Sequence, residues 1–174
     1  MTTIDALKHA IRDVPDFPTA GILFKDITPL LGDPELFRAA VDLFVRRHEH
    51  ARIQKVACID ARGFLFGSAV AYGLRAGLVP IRKKGKLPYA TFDQDYDLEY
   101  GTASISMHAD AVRPGDRVLL IDDLLATGGT AQAAVQLLEK GGAQVAEVDF
   151  LIELAFLKGR AKLAPRPVFA AFVC

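Results

Sequence analysis

Short apolar runs alternate with amphipathic helical patterns along the chain, and this order predicts the fold class. An almost continuous apolar run indicates a strand that is covered on both faces of a sheet. When such strands alternate with helices, right-handed crossovers make the strands parallel. The pattern therefore predicts an α/β fold. Predicted strands cover residues 55–59, 78–81, 102–107, 118–121, 145–154 and 168–173, and predicted helices cover residues 3–12, 33–51, 67–75 and 131–140.

Two segments interrupt this alternation. Residues 14–27 are punctuated by prolines and a glycine and then become apolar, which predicts an ordered loop that ends in a short strand. Residues 82–100 are polar, contain glycine and proline and show no periodicity, and connections of that length are usually functional or mobile. We therefore expect one domain over residues 1–174, with an N-terminal arm over residues 1–32 and a flexible loop over residues 82–101.

Length and composition fit this single domain. The chain has 174 residues, of which 51% are hydrophobic, and its 21 basic and 21 acidic side chains balance. This hydrophobic content argues against disorder, and the charge balance argues against a general nucleic-acid binder. Cys58 and Cys174 form neither a disulfide framework nor a metal-ligand spacing, which favours a reducing compartment. Because no apolar run approaches membrane-spanning length, we expect a cytoplasmic protein that contacts neither membrane nor nucleic acid.

Two acids follow the predicted strand at residues 118–121. Asp122 and Asp123 come at its carboxyl end, where ligands of open α/β sheets bind. There both carboxylates can accept hydrogen bonds from the hydroxyls of a ribose and favour positive charge on that sugar. The alternative is that Asp123 caps the next turn and that Asp122 is solvated.

The turn after the acids suits a phosphate group. It combines backbone N–H groups free of bulky side chains, two hydroxyls and the start of a helix, all of which favour an anion. An ordinary helix cap does not require two glycines and two threonines together, so the turn favours the ligand-binding interpretation of the acids. Its residues are Ala126, Thr127, Gly128, Gly129 and Thr130.

Cations are expected at the same edge of the sheet. Arg62 follows the strand at residues 55–59, and its planar guanidinium suits a pair of phosphate or pyrophosphate oxygens. The alternative for Arg62 is a surface ion pair with Asp60. After the strand at residues 78–81, a cationic cluster could neutralise an anionic leaving group or could simply be a solvated charge run. That cluster is Arg82, Lys83, Lys84 and Lys86.

Two further residues could contact a substrate. Glu99 lies beside the hinge-capable Gly101 and could exchange a proton with a substrate nitrogen once loop closure excludes water. It could also be a plain exposed acid. Phe24 lies within residues 14–27, where an aromatic side chain is more often a core residue, but a flat ligand could stack on its ring.

Together these segments resemble the type I phosphoribosyltransferases. Residues 118–130, Val-Leu-Leu-Ile-Asp-Asp-Leu-Leu-Ala-Thr-Gly-Gly-Thr, look like the family's binding motif for phosphoribosyl pyrophosphate. The resemblance implies the type I phosphoribosyltransferase fold, a twisted and mostly parallel sheet flanked by helices, with a small N-terminal hood and a flexible catalytic loop. Similarity to the adenine-specific members is carried by residues 16–29, 61–67, 81–88, 96–101 and 153–160.

The resemblance also implies a reaction. The 5-phosphoribosyl group of 5-phosphoribosyl 1-pyrophosphate would pass to adenine, giving AMP and pyrophosphate in purine salvage. Mg²⁺ would be carried on the pyrophosphate substrate, without a metal site on the protein. Relatives are typically homodimers, and a neighbouring subunit could reach the pyrophosphate with Arg82, Lys83 or Lys84.

Residue roles follow from the same resemblance. The turn at residues 126–130 would hold the 5′-phosphate, and Asp122 and Asp123 would address the ribose hydroxyls. Glu99 would donate a proton to the purine, and the Ala61–Arg62 peptide would be cis. The pyrophosphate would meet Ala61, Arg62, Arg82, Lys83 and Lys86, and adenine would meet Leu23, Phe24, Lys25 and Leu154.

Two other functions compete with this hypothesis. One is transfer to another base such as xanthine or guanine, against which the Phe24 segment and residues 98–101 argue. The other is a regulator that binds phosphoribosyl pyrophosphate without catalysis. Such a regulator normally carries a DNA-binding module, for which this sequence has neither spare length nor a basic helix. Lys25 also stands where many relatives have arginine, which leaves the side-chain contact to the base open.

Overall fold

The computed structural model describes residues 3–97 and 101–174. Within them, seven strands form one sheet in the order β5-β6-β4-β3-β7-β8-β9, and β1 and β2 form a separate hairpin. The strands are β1 Arg12–Pro15, β2 Leu23–Asp26, β3 Lys55–Ile59, β4 Gly77–Lys83, β5 Thr91–Asp97, β6 Thr102–His108, β7 Arg117–Leu125, β8 Gln144–Glu153 and β9 Val168–Val173. The helices are α1 Thr3–His9, α2 Thr28–Gly32, α3 Pro34–His48, α4 Gly63–Leu74 and α5 Gly129–Lys140, and two 3-10 turns cover Ala155–Leu157 and Gly159–Leu163.

The large sheet is mostly parallel, as the alternation of strands and helices predicts. β4, β3, β7, β8 and β9 pair in parallel, whereas β6 pairs antiparallel with both β4 and β5. From the centre of the sheet the chain adds strands in opposite directions. β3 leads through α4 to β4 on one side, and β7 leads through α5 to β8 on the other. The order of strands therefore reverses between β3 and β7, where ligands of open α/β sheets bind.

The apolar run of the central strand β7 is continuous because helices cover both of its faces. Val118 and Leu120 pack in a core with α5, whereas Leu119 and Ile121 pack in a second core with α3 and α4. None of the four has exposed surface. Full burial of side chains of this size stabilises the fold by about 1.5–3 kcal/mol each. The run thus anchors the two acids that follow it between two packed layers.

Asp33 caps the start of α3. The Asp33 carboxylate accepts hydrogen bonds from the backbone N–H groups of Glu35 at 2.9 Å and Leu36 at 3.0 Å. Pro34 occupies the first helical position, where its missing N–H costs nothing. The helix then buries Phe44 completely. This cap is a local feature, which is why the sequence alone reveals it.

The prediction of an irregular segment at residues 82–101 is wrong for much of its length. β4 continues to Lys83, and β5 forms an antiparallel ladder with β6 that runs from the pair Thr91 and His108 to the pair Asp97 and Thr102. Phe92 and Tyr96 pack on the core beside α5. Asp93 and Asp95 alternate with these aromatics, but Gln94 interrupts the apolar face and aspartate is uncommon in strands, so the sequence pattern is weak. The mobility of this segment remains a prediction.

Element ends also shift from their predicted positions. α4 begins at Gly63 and not at residue 67, and β7 continues through the two acids to Leu125. α1 ends at His9, before residue 12. No helix among the described residues combines the length and apolar character needed to cross a bilayer.

The N-terminal arm is tied together by ion pairs across its hairpin. β1 and β2 pair antiparallel, with Val14 opposite Phe24. Arg12 Nη2 lies 2.7 Å from Asp26 Oδ2, and Lys25 Nζ lies 2.6 Å from Asp13 Oδ1. The backbone N–H of Thr28 and the Arg12 guanidinium, in that order, lower the pKa of Asp26 to about 2. The short strand predicted at the end of residues 14–27 is therefore confirmed as β2.

Candidate active site

A cleft of about 290 Å³ opens where the strand order reverses. One wall follows the end of β3, and the other follows the end of β7 and the turn into α5. These are the places where the sequence predicts acids, a phosphate turn and an arginine. The cleft is lined by Ile59, Asp60, Ala61, Arg62, Tyr96, Asp122, Asp123, Leu124, Leu125, Ala126, Thr127, Gly128, Gly129, Thr130 and Ala131.

The two acids lie inside the last part of β7 and not after its end. Successive side chains of a strand point to opposite faces, so the two carboxylates have different neighbours. Asp122 faces Gly63 so closely that a Cβ atom on that glycine would lie 2.9 Å from Asp122 Oδ1. The same oxygen accepts a 2.9 Å hydrogen bond from the backbone N–H of Asp123. Asp123 is 2% exposed, and its Oδ2 lies 3.1 Å from Arg62 Nε.

Burial gives these acids an unusual preference for protons. Removal from water raises the pKa of Asp122 well above its ordinary value, and the neighbouring charge of Asp123 raises it further. Burial also raises the pKa of Asp123. The charge of Arg62 opposes both shifts. A positive charge placed beside this pair is therefore strongly favoured.

Arg62 joins the acids to the N-terminal arm. It occupies the cap position before α4, and it pairs with Asp123 and not with Asp60. Its Cζ lies 5.1 Å from the centre of the Phe24 ring, within the range of a cation–π contact. Its Nη1 is buried and makes no hydrogen bond to any described residue. A buried cationic N–H without a partner is costly, and an anionic ligand would satisfy it.

The loop before Arg62 differs from the prediction in one peptide bond. The cis bond joins Asp60 to Ala61, one residue before the predicted Ala61–Arg62 position. Asp60 pairs with Arg82, whose Nε lies 2.8 Å from Asp60 Oδ2. The neighbouring strand β4 ends beside β3, which is why an arginine from that strand reaches this carboxylate.

The other cations of the cluster divide into two groups. Lys84 Nζ lies 3.0 Å from Asp93 Oδ2, so β5 partly neutralises it. Lys83, the last residue of β4, and Lys86, in the turn that follows, are both exposed. Arg82 also donates from Nη1 to the Lys86 carbonyl at 3.2 Å. The structure thus places Arg82 against Asp60, which lines the cleft, and leaves Lys83 and Lys86 in solvent.

The predicted phosphate turn connects β7 directly to α5. Gly128 has φ of +79°, a left-handed conformation that glycine adopts without strain, and it caps the helix. Gly128 and Gly129 are buried, whereas Thr127 is exposed. The twelve-residue helix that follows directs its N-terminus at the cleft, which gives the turn a positive partial charge. The turn therefore has the geometry of an anion site.

The four residues predicted for the base lie beside the cleft and outside its lining. Phe24 packs edge-on against Phe17, with ring centres 5.1 Å apart. Leu23 is half exposed, and the ammonium of Lys25 is held by Asp13. Leu154 follows β8, and its N–H donates to the Leu125 carbonyl at 2.9 Å. Contact with Arg62 is what brings Phe24 to the site.

Tyr96 is a lining residue that the sequence interpretation missed. It is the penultimate residue of β5, and its Cδ2 would lie 3.6 Å from a Cβ atom on Gly129. The signal in the sequence is the spacing of Phe92, Gln94 and Tyr96 on one face of a strand. Glu99, the predicted proton donor, lies outside the described residues.

The cleft contains oxygen atoms of the kind that bind Mg²⁺. Mg²⁺ prefers oxygen ligands and often uses one or two carboxylates together with substrate phosphates. The cleft offers the oxygens of Asp122 and Asp123.

Among the described residues, a group of three potential ligands occurs at His48, Glu147 and Asp149, none of which lines the cleft. There His48 Nε2 lies 2.7 Å from Asp149 Oδ2, and Arg47 pairs with Glu147.

Comparisons with known proteins assign this arrangement to a family. A family model described as phosphoribosyl transferase domain matches residues 28–168. Over 153 residues the chain is 58% identical to the adenine phosphoribosyltransferase of Acidothermus cellulolyticus. The aligned region covers 88% of this chain and 86% of that protein.

Solved structures share the complete fold. The crystal structure of adenine phosphoribosyltransferase from Rhodothermus marinus matches with a TM-score of 0.95 at 52% identity, over 99% of this chain and 98% of that chain. The Saccharomyces cerevisiae enzyme, complexed with adenine and an imino-altritol bisphosphate, matches with a TM-score of 0.94 at 40% identity, over 98% of each chain. The present chain therefore belongs to the phosphoribosyltransferase family and, within it, to the adenine phosphoribosyltransferases.

Proposed function

We propose that the cleft between β3 and β7 is where this adenine phosphoribosyltransferase passes the 5-phosphoribosyl group of 5-phosphoribosyl 1-pyrophosphate to adenine, giving AMP and pyrophosphate. The observation that carries this proposal is the position of Arg62. Its guanidinium pairs with Asp123, lies beside the Phe24 ring and keeps a buried N–H free of partners among the described residues. One cation in the lining of the cleft thus stands between an acidic pair and an aromatic ring and has an N–H group left to donate.

The sugar phosphate is assigned to β7 and the turn after it. Residues 126–130 receive the 5′-phosphate, because backbone N–H groups and a helix N-terminus favour an anion there. Asp122 and Asp123 accept hydrogen bonds from the ribose hydroxyls. Positive charge develops on the ribose as pyrophosphate departs, and fixed carboxylates in a buried site stabilise that charge more than water would.

The leaving group is assigned to the opposite wall. Ala61 and Arg62 contact the pyrophosphate, and Arg82, Lys83 and Lys86 supply further positive charge at the same edge. Arg82 is already oriented by Asp60, whereas both lysines are exposed. Mg²⁺ bound to the substrate would neutralise part of the charge on the departing pyrophosphate.

The base is assigned to the N-terminal arm. Adenine stacks on Phe24, the backbone near Leu23 and Lys25 reads its edge, and Leu154 contacts its other face. Glu99 acts as proton donor to the purine when the loop at residues 82–101 closes. The ion pair between Lys25 and Asp13 supports the backbone assignment, because it occupies the lysine side chain.

A substrate assay tests the function directly. We expect purified protein with 5-phosphoribosyl 1-pyrophosphate and Mg²⁺ to form AMP from adenine and to form far less nucleotide from guanine, hypoxanthine or xanthine. Nucleotide formation is measured by chromatography. Turnover of guanine or xanthine in place of adenine would favour the alternative transferase, and binding without turnover would favour the regulator.

Replacement of Glu99 tests the proton donor. A positioned acid typically contributes about 10²–10⁴ in rate, so Glu99→Gln should lower kcat by about 10² or more while substrate dissociation constants change little. Steady-state kinetics and equilibrium binding separate the two effects. Asp95→Asn is the matched control, because Asp95 is an exposed acid on β5. Equal loss in both variants, or no loss in either, would remove Glu99 from this role.

The pH profile tests the acid pair. Asp122 and Asp123 must be ionised to stabilise a positive sugar, so activity should fall as pH drops through their raised pKa. Arg62 lowers the pKa of both acids, so Arg62→Gln should move this acid limb to higher pH. The measurement is kcat/KM over roughly pH 4 to 9. Arg38→Gln, at an exposed arginine of α3, should leave the limb in place, whereas an unmoved limb in Arg62→Gln contradicts the assignment.

We also propose a cytoplasmic homodimer. Both cysteines are free, which supports a reducing compartment. Leu65 and Tyr72 lie seven positions apart on one face of α4, where Tyr72 is 89% exposed, and Leu78 follows on β4. A cluster of exposed apolar side chains marks an interaction surface more often than a solvated one.

Light scattering tests the dimer. We expect a mass of twice the 18.9 kDa of one chain, and Tyr72→Glu should shift the population toward single chains. Phe156→Glu is the control, since Phe156 is a similarly exposed aromatic in the 3-10 turn after β8. A wild-type mass of one chain would contradict the proposal.

A further inference from the structure

The backbone of Gly159 lies against the rear of the phosphate turn. A Cβ atom on Gly159 would overlap the Ala126 carbonyl oxygen and would lie 2.9 Å from the Gly128 nitrogen and 3.0 Å from the Thr127 carbonyl carbon. A Cβ atom on Gly128 would likewise overlap the Gly159 carbonyl oxygen. The two glycines are 31 positions apart in the chain, and each leaves the space that the other's backbone fills.

The chain around Gly159 has little freedom to retreat. The neighbouring Arg160 pairs with Glu153 at the end of β8, and its Nη1 donates to the Val168 carbonyl at 2.6 Å. Leu163, in the same 3-10 turn, is buried in the core beside α5. The atoms that a larger residue would meet belong to backbone, which cannot rotate away as a side chain can. An added methyl group would therefore displace the turn itself.

We propose that Gly159 is a positioning residue that holds the turn at residues 126–130 in the conformation that binds the 5′-phosphate. This inference rests on the proposed function of that turn. Gly159 contacts no substrate in this role, because it lies behind the turn and outside the cleft lining. Backbone hydrogen bonds to a phosphate are directional, and a displacement of about 1 Å weakens them strongly. Its effect should therefore be specific for ligands that carry the phosphate.

The test compares AMP with adenosine, which differ by that phosphate. Gly159→Ala should weaken AMP binding by about tenfold, comparable to the loss of one hydrogen bond to a charged group, and should leave adenosine binding within about twofold of wild type. Calorimetric titration measures both ligands, and kinetics should show a higher KM for 5-phosphoribosyl 1-pyrophosphate. Thermal unfolding monitors the fold in parallel.

Two glycine variants serve as controls. Gly73→Ala also creates a close contact, since its Cβ atom would lie 2.7 Å from Val45 Cγ2, but this contact is with a side chain between α4 and α3. Gly77→Ala makes only an ordinary contact, 3.6 Å from Lys55 Cγ. Both should keep the wild-type preference for AMP over adenosine. Loss of that preference in Gly73→Ala would show a general effect of destabilisation and overturn the inference.

A second variant decides the matter if Gly159→Ala does not fold. Arg160→Met removes the anchor of the 3-10 turn without adding bulk at the glycine, and it should weaken AMP binding several-fold while sparing adenosine. Unchanged AMP binding in a folded Gly159→Ala, or in Arg160→Met if the first variant does not fold, overturns the inference, as does equal weakening of both ligands. If wild-type protein binds AMP no better than adenosine, the proposed function of the turn has failed instead.

Discussion

Two adjacent carboxylates, Asp123 buried and Asp122 partly exposed, impose the constraint that the rest of the site satisfies. Asp122 and Asp123 share the end of the central strand, and burial makes their charged forms costly. Arg62 offsets part of this cost from the start of α4, and it is held in turn by the Phe24 ring. The part of this cost that Arg62 does not offset makes positive charge in the cleft favourable. A reaction that passes through a positively charged sugar uses that preference at the moment when it matters most.

Close backbone approach gives the site its second property, which is rigidity. Gly63 lets the start of α4 approach the acids, because any side chain there would crowd Asp122 Oδ1 and the Ile121 carbonyl oxygen. Gly128 and Gly159 allow a similar approach behind the phosphate turn. In both places the position of a functional group depends on backbone packed against backbone, which leaves little room for either segment to move.

Features that depend only on residues adjacent in the chain could be predicted from the sequence. The Asp33 cap of α3 and the apolar run of β7 follow local rules of hydrogen bonding and burial. The turn at residues 126–130 was predictable as a turn for the same reason, since its glycines are adjacent in sequence, whereas its binding of phosphate remains a proposal. β5 was not, because Gln94 interrupts its apolar face and aspartate is uncommon in strands, so only packing against α5 reveals the strand.

By itself the sequence determined the α/β order of elements, the acids, the turn and the family to which they belong. Only the tertiary structure decided which charges pair. Arg62 meets Asp123 and not its sequence neighbour Asp60, and Asp60 meets Arg82 from the next strand. Likewise, Gly159 meets Gly128 across 31 positions. Such contacts depend on the register of parallel strands and on where each helix begins, and these are settled by packing of the whole sheet and not by any local pattern.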